Sequence, residues 1–139
     1  MSKKTTGIAI YWRLMFRVSN RNKADKQFKR AEALLGQKFR TLCCEPYWKI
    51  SGVWICEATA HISAKSVETQ VTKSLLLANR LATGWYVLGP HVTENGVLET
   101  LEGIFSRRDR SSQAKLQSLE WAHFQLAAKI TNQALPVEA

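Results

Sequence analysis

The residues Ile8 to Val18 constrain this chain more than any other segment. Ile8, Ile10, Trp12, Leu14, Phe16 and Val18 alternate with Ala9, Tyr11, Arg13, Met15 and Arg17. Successive side chains of a strand point to opposite faces, so this period of two predicts one long strand. One of its faces is apolar and must be covered. The other carries two arginines and must stay at least partly wet. A strand of that kind needs a sheet around it and a second layer over its apolar side.

The rest of the chain supplies candidates for both. Asn20 to Leu35 reads as a helix: Ala24, Phe28, Ala31 and Leu35 form an apolar stripe, Asn20 or Asn22 offers an N-cap, and Gly36 terminates it. Lys38 to Cys44 and Val53 to Ile62 read as a strand pair joined around Ser51-Gly52, with Pro46 marking a bend or an edge. Ser63 or Ser66 caps a second helix running to about Ala82 and closed by Gly84. Val67, Val71, Leu75, Ala78 and Ala82 line one side of it, widened by Leu76, Leu77 and Leu81. A short strand follows at Trp85 to Leu88, broken by Gly89-Pro90. Asn95-Gly96 then predicts a type I′ hairpin turn into a strand at Val97 to Phe105. Arg107 to Ser112 reads as a mobile polar loop, and Leu119 to Leu126 alternates again as a last strand. The tail from Lys129, with Pro136, reads as frayed.

The order β-α-β-β-α-β matches the split βαβ, ferredoxin-like arrangement. The expected fold is therefore α+β: one antiparallel sheet, two helices on one face, and an added C-terminal β-hairpin. The chain has 139 residues, which suits a single domain with an ordered core at about 7–128. Five tryptophans and a hydrophobic share of 45% argue against disorder. No signal peptide follows the basic start, because Arg13 and Arg17 interrupt the apolar stretch. No apolar run is long enough to span a membrane. The odd set Cys43, Cys44 and Cys56 suits a reducing cytoplasm better than export.

The net charge of +9 is lopsided. Residues 1–50 hold twelve Lys/Arg against Asp25, Glu32 and Glu45, whereas residues 51–139 hold eight of each sign. A one-sided positive field suits an acidic partner through steering and complementarity. The expected partner-binding residues are Arg21, Lys23, Lys26, Lys29 and Arg30 on the first helix, with Arg13 and Arg17 behind them.

Chemistry is harder to place. Cys43, Cys44 or Cys56 with His61, His91 or His123 would be the material of a nucleophile and base, but nothing local orders them. Cys43 and Cys44 face opposite sides of their strand. Zinc needs four ligands in paired spacings, and no second pair follows, so no metal or other cofactor is expected. Glu57 and His61 share a strand face, yet four residues at ~3.3 Å each put them about 13 Å apart. Glu120 and His123 fall on opposite faces. No phosphate-cradling glycine motif is present. The chain therefore reads as a binder and not an enzyme. A basic third with Tyr11, Trp12, Tyr47 and Trp48 could form a sheet that stacks RNA or DNA bases, but the aromatic signature of the RNA-recognition domain is missing from Val53 to Ile62.

Two C-terminal segments, Leu101 to Asp109 with Glu102-Gly103-Ile104, and Ser118 to Leu126 with Trp121-Ala122 and Phe124, resemble the C-terminal end of many small bacterial immunity proteins. Those proteins protect cells against polymorphic toxins, including toxins of contact-dependent growth inhibition. The resemblance covers about a fifth of the chain. It implies a cytoplasmic, non-enzymatic α+β domain that binds a toxin domain and occludes its active site. Many immunity proteins are acidic. This chain is basic, so the resemblance implies a toxin with an acidic face.

Overall fold

The computed structural model describes residues 7–127. Its elements run β1 (Gly7–Arg17), α1 (Arg21–Leu35), β2 (Arg40–Pro46), β3 (Val53–Ser63), α2 (Val67–Leu81), β4 (Ala82–Thr83), β5 (Tyr86–Val92), β6 (Leu98–Ser106), β7 (Gln113–Ala114) and β8 (Leu119–Ala127). Six strands form one antiparallel sheet in the order β2-β3-β1-β8-β6-β5, and β4 pairs with β7 apart from it. The fold is α+β, with both helices over one face of the sheet.

The alternation of β1 does what its pattern requires. Ile10, Trp12, Leu14 and Phe16 are fully buried under the helices, whereas Tyr11, Arg13, Met15 and Arg17 face the other way. α1 closes over them with Ala24, Phe28, Ala31 and Leu35. Its N-cap is Asn20, whose side chain accepts from Lys23 N at 2.9 Å, and Gly36 ends it in the left-handed conformation that a Cβ would penalise. Ser66 and Thr69 form a capping box at the start of α2.

The strand order refines the ferredoxin-like expectation. The segment β2-β3-β1 has that arrangement. The place beside β1, which the strand after α2 would occupy, is instead taken by β8. The C-terminal pair β6–β8 is thus inserted between β1 and β5, and β5 becomes the outer edge. Smaller differences have local causes. Gly84 lies beyond the end of α2. The last carbonyls of that helix are met by the Trp85 indole, whose Nε1 donates to Ala78 O at 3.0 Å and Ala82 O at 2.7 Å. Leu76, counted on the apolar side of α2, stands 61% exposed. Asn95 keeps a negative φ, so the hairpin turn is not type I′: Gly96 alone goes left-handed, and its N donates to Thr93 O. The 107–112 loop is tied down: the Arg107 guanidinium donates to the carbonyls of Leu119, Leu116 and Gln117. The expected frayed tail lies outside the described residues.

Gly103, in the Glu-Gly-Ile segment, has a packing role. It sits opposite Phe124 on β8, and a Cβ there would strike the Phe124 ring, with Cζ only 2.9 Å away. That ring packs against Trp12 and Trp85, so it has little room to give. Gly103→Ala is expected to destabilise the chain by about 1–3 kcal/mol through overpacking, measured as a lower urea midpoint at unchanged slope.

Candidate functional site

The sheet face away from the helices is a patchwork of hydrogen-bonding groups on strands distant in sequence. At its centre, register places Arg13 between Glu57 of β3 and His123 of β8. The Tyr11 hydroxyl donates to Glu57 Oε1, and Arg13 donates from its terminal nitrogen to Tyr11 Oη at 3.0 Å. Arg13 Nε lies 3.5 Å from Glu57 Oε2 but makes no hydrogen bond among the described residues. One strand further, His123 Nε2 meets Glu102 Oε1 at 2.8 Å while its ring stacks on Trp121. Among the described residues, nothing partners the buried His123 Nδ1. Arg17 and Arg107 both approach Glu120 Oε2, at 3.4 and 3.7 Å.

Burial and neighbouring carboxylates hold the Tyr11 hydroxyl and the Cys43 thiol of this face in their neutral forms. Burial, with the bond to Glu57 second, pushes the Tyr11 hydroxyl up to about 12, so it remains a neutral donor. Cys43 opens onto the same face beside Glu57. Burial and then the carboxylates of Glu57 and Glu45 push its thiol up to about 11, which leaves almost no thiolate to act as a nucleophile at neutral pH. The arginines meet carboxylates here, so the face has little net charge to offer.

The seven residues expected to bind a partner therefore divide between two layers. Arg13 and Arg17 belong to the open sheet face and are engaged with Glu57 and Glu120. Arg21, Lys23, Lys26, Lys29 and Arg30 lie in the helical layer on the far side of the sheet, all exposed. Arg21 approaches Asp25 at 3.9 Å. Among the described residues, Lys23, Lys26, Lys29 and Arg30 have no ion pair within 4.0 Å.

These cations do not serve the helix. The first turn of α1 has no acid and contains Arg21 and Lys23, although the N-terminal end of a helix dipole is positive. Its last turn has no base but contains Glu32, whose carboxylate instead accepts from Phe39 N at 2.8 Å and so orients the entry to β2. Lys23, Lys26, Lys29 and Arg30 also stand three or four residues apart and repel one another.

Sequence reasoning missed the His123–Glu102 pair, because only the β6–β8 register brings those two residues together. It also placed Glu120 on the face opposite His123. The bulge between Met15 and Phe16 skips Glu120 in the β1–β8 pairing, and its carboxylate reaches Arg17. No group of three or more His, Cys, Asp or Glu among the described residues could hold a metal ion. A groove of about 620 Å³ between the start of α2 and the β5–β6 hairpin is lined by Ile8, Val67, Val92 and Leu98, with Lys65 and Glu68 at hand. No histidine or cysteine lines it. None of the described helices is long and apolar enough to cross a membrane.

The Tyr11–Glu57 bond generates a testable pH dependence. A hydroxyl pushed up in the folded state adds stability that is complete below its unfolded value near 10 and is lost as pH rises through about 12. Urea melts of the wild-type chain between pH 10 and 12 should show a steeper loss than those of Tyr11→Phe; parallel slopes would remove the bond from the account. No protein-family model, curated protein or solved structure matches this chain.

Proposed function

We propose that this chain is an immunity-type inhibitor: a cytoplasmic binding domain, not an enzyme, that docks a toxin domain through the exposed cations of α1 and occludes its active site. The observation that carries the reading is the set Lys23, Lys26, Lys29 and Arg30, exposed and without an ion pair among the described residues, on a helix whose charge opposes its own dipole. Such an arrangement costs the isolated domain stability. An acidic surface laid along α1 would relieve both the mutual repulsion and the unfavourable end charges. Arg21 and Arg30 flank the lysines, and their guanidinium groups can each hold a partner carboxylate with two hydrogen bonds. Arg13 and Arg17 are left to the sheet and contribute through the fold.

The alternative, an RNA- or DNA-binding module, fits the geometry less well. A sheet that stacks bases needs aromatic rings beside cations. Here Tyr11 is bonded to a carboxylate, and Glu57, Glu102 and Glu120 stand where phosphates would have to pass. Nucleic-acid binding would then rest on α1 alone.

The proposal predicts opposite effects on folding and binding. Lys23→Glu places an acid in the first turn of α1, and Lys26→Glu converts repulsion from Lys23, Lys29 and Arg30 into attraction. Each should raise stability by roughly 0.3–1 kcal/mol. Where the neighbouring gene proves to encode a toxin domain, the double variant should nevertheless fail to rescue growth of cells expressing that domain, whereas the wild type should rescue them. Full rescue by the double variant would sink the α1 interface. A fluorescence titration with single-stranded RNA separates the readings: affinity that falls steeply with salt, and is abolished by the double variant, points to nucleic acid.

A further inference from the structure

The cysteines carry a second, independent inference. Cys44 on β2 and Cys56 on β3 are direct cross-strand partners, and their sulfurs lie 2.8 Å apart on the helical side of the sheet. Both are free thiols. Cα atoms opposite each other in antiparallel strands are about 4.5–5.5 Å apart, within the span a disulfide tolerates. Cys43 is kept out of this pairing, since its side chain opens onto the other face, beside Glu57. We propose that Cys44 and Cys56 form a redox pair that closes into a cross-strand disulfide at the β2 edge when the chain meets a small-molecule disulfide such as oxidised glutathione.

The order of events follows from burial. Cys56 lies on an inner strand and is fully buried, whereas Cys44 is 9% exposed on the outermost strand. Burial pushes both thiols up, so neither is a ready nucleophile in the closed sheet. Reaction therefore begins when β2 frays. Cys44 loses its proton and attacks one sulfur of the small disulfide, forming a mixed disulfide and releasing one small thiolate. Cys56 then loses its proton and attacks Cys44 Sγ, and the second small thiolate leaves. The pair gives up two electrons and two protons, and one small disulfide becomes two small thiols. The product staples β2 to β3 around the loop at 47–52, beneath the α1 residues Arg21 and Asp25 that border Cys44.

The test uses the full reduced chain, treated with oxidised glutathione at mildly alkaline pH without denaturant. The intact mass should fall by two hydrogens. Cleavage after Lys and Arg should yield residues 41–49 linked to residues 50–65. The Cys43→Ser chain should keep that link, which needs no variant of the buried pair. Low urea should accelerate closure, because it promotes fraying of the edge. The melting temperature of the oxidised chain should rise by roughly 10 °C, since the bridge closes a short loop between strands that are already paired. A link through Cys43, glutathione adducts without closure, or a lower melting temperature after oxidation would each overturn the proposal.

Discussion

Trp12 stands where every layer of this molecule meets, and the packing around its ring holds the layers in place. The Phe124 ring of β8 lies 5.7 Å away, and Trp85, just past β4, approaches edge-on at 6.5 Å. Trp85 in turn touches Phe124 at 5.4 Å and Phe105 of β6 at 6.0 Å. Aromatic pairs at such separations add roughly 0.5–1.5 kcal/mol each beyond their buried area. The polar edges are also satisfied: Trp12 Nε1 donates to Gln37 Oε1, and Trp85 Nε1 caps α2. One cluster thus locks β1 to β8, β8 to β6, and α2 to all three. The missing side chain at Gly103 is the space that the Phe124 ring occupies between the inserted strands.

Once that cluster sets which side of β1 is inward, the charge distribution follows. Arg13 and Arg17 must point away from the helices. The neighbouring strands then bring Glu57 and Glu120 to them from residues far along the chain. The excess positive charge of the first fifty residues is therefore not spread over one surface. The sheet engages Arg13 and Arg17 with carboxylates, and α1 displays Arg21, Lys23, Lys26, Lys29 and Arg30 on the other layer. A surface used for recognition can carry charges that weaken its own helix, because stability supplied by the core leaves room for that cost.

Local signals in the sequence foretold the elements well and their neighbours poorly. The β1 stripe and the Gly36 stop are written within a few residues of where they act, and the structure takes Asn20 over Asn22 and Ser66 over Ser63 as the caps. Strand order is a different kind of information. Leu98–Ser106 and Leu119–Ala127 both alternate, and nothing in either marks which one lies beside β1; the ring packing around Trp12 makes the choice. The same limit hid His123–Glu102 and Cys44–Cys56, pairs made by register alone. The basic helix was legible as a run of cations. That the two β1 arginines would part from it was legible in principle, since α1 must cover the face opposite to theirs.

The two edges of the sheet show how the chain handles unpaired backbone. Every residue of β5 is exposed, among them Tyr86, Val87, Leu88 and Val92, a composition that invites pairing with another strand. Pro90 and the register shifts between Leu88 and Val92 interrupt the row of donors and acceptors there. At the opposite edge, β2 is bent by a register shift between Thr41 and Cys43 and ends at Pro46, with Lys38 and Arg40 at its start. Both edges are broken by proline and irregular pairing, but of the two it is β2 that lies next to α1. It joins that helix through Glu32 and Phe39, so whatever steadies β2 also steadies the end of the basic helix. The paired thiols lie between this edge and its inner neighbour, beside Arg21 and Asp25 at the start of α1, so a covalent bond there would stiffen the support of the basic helix.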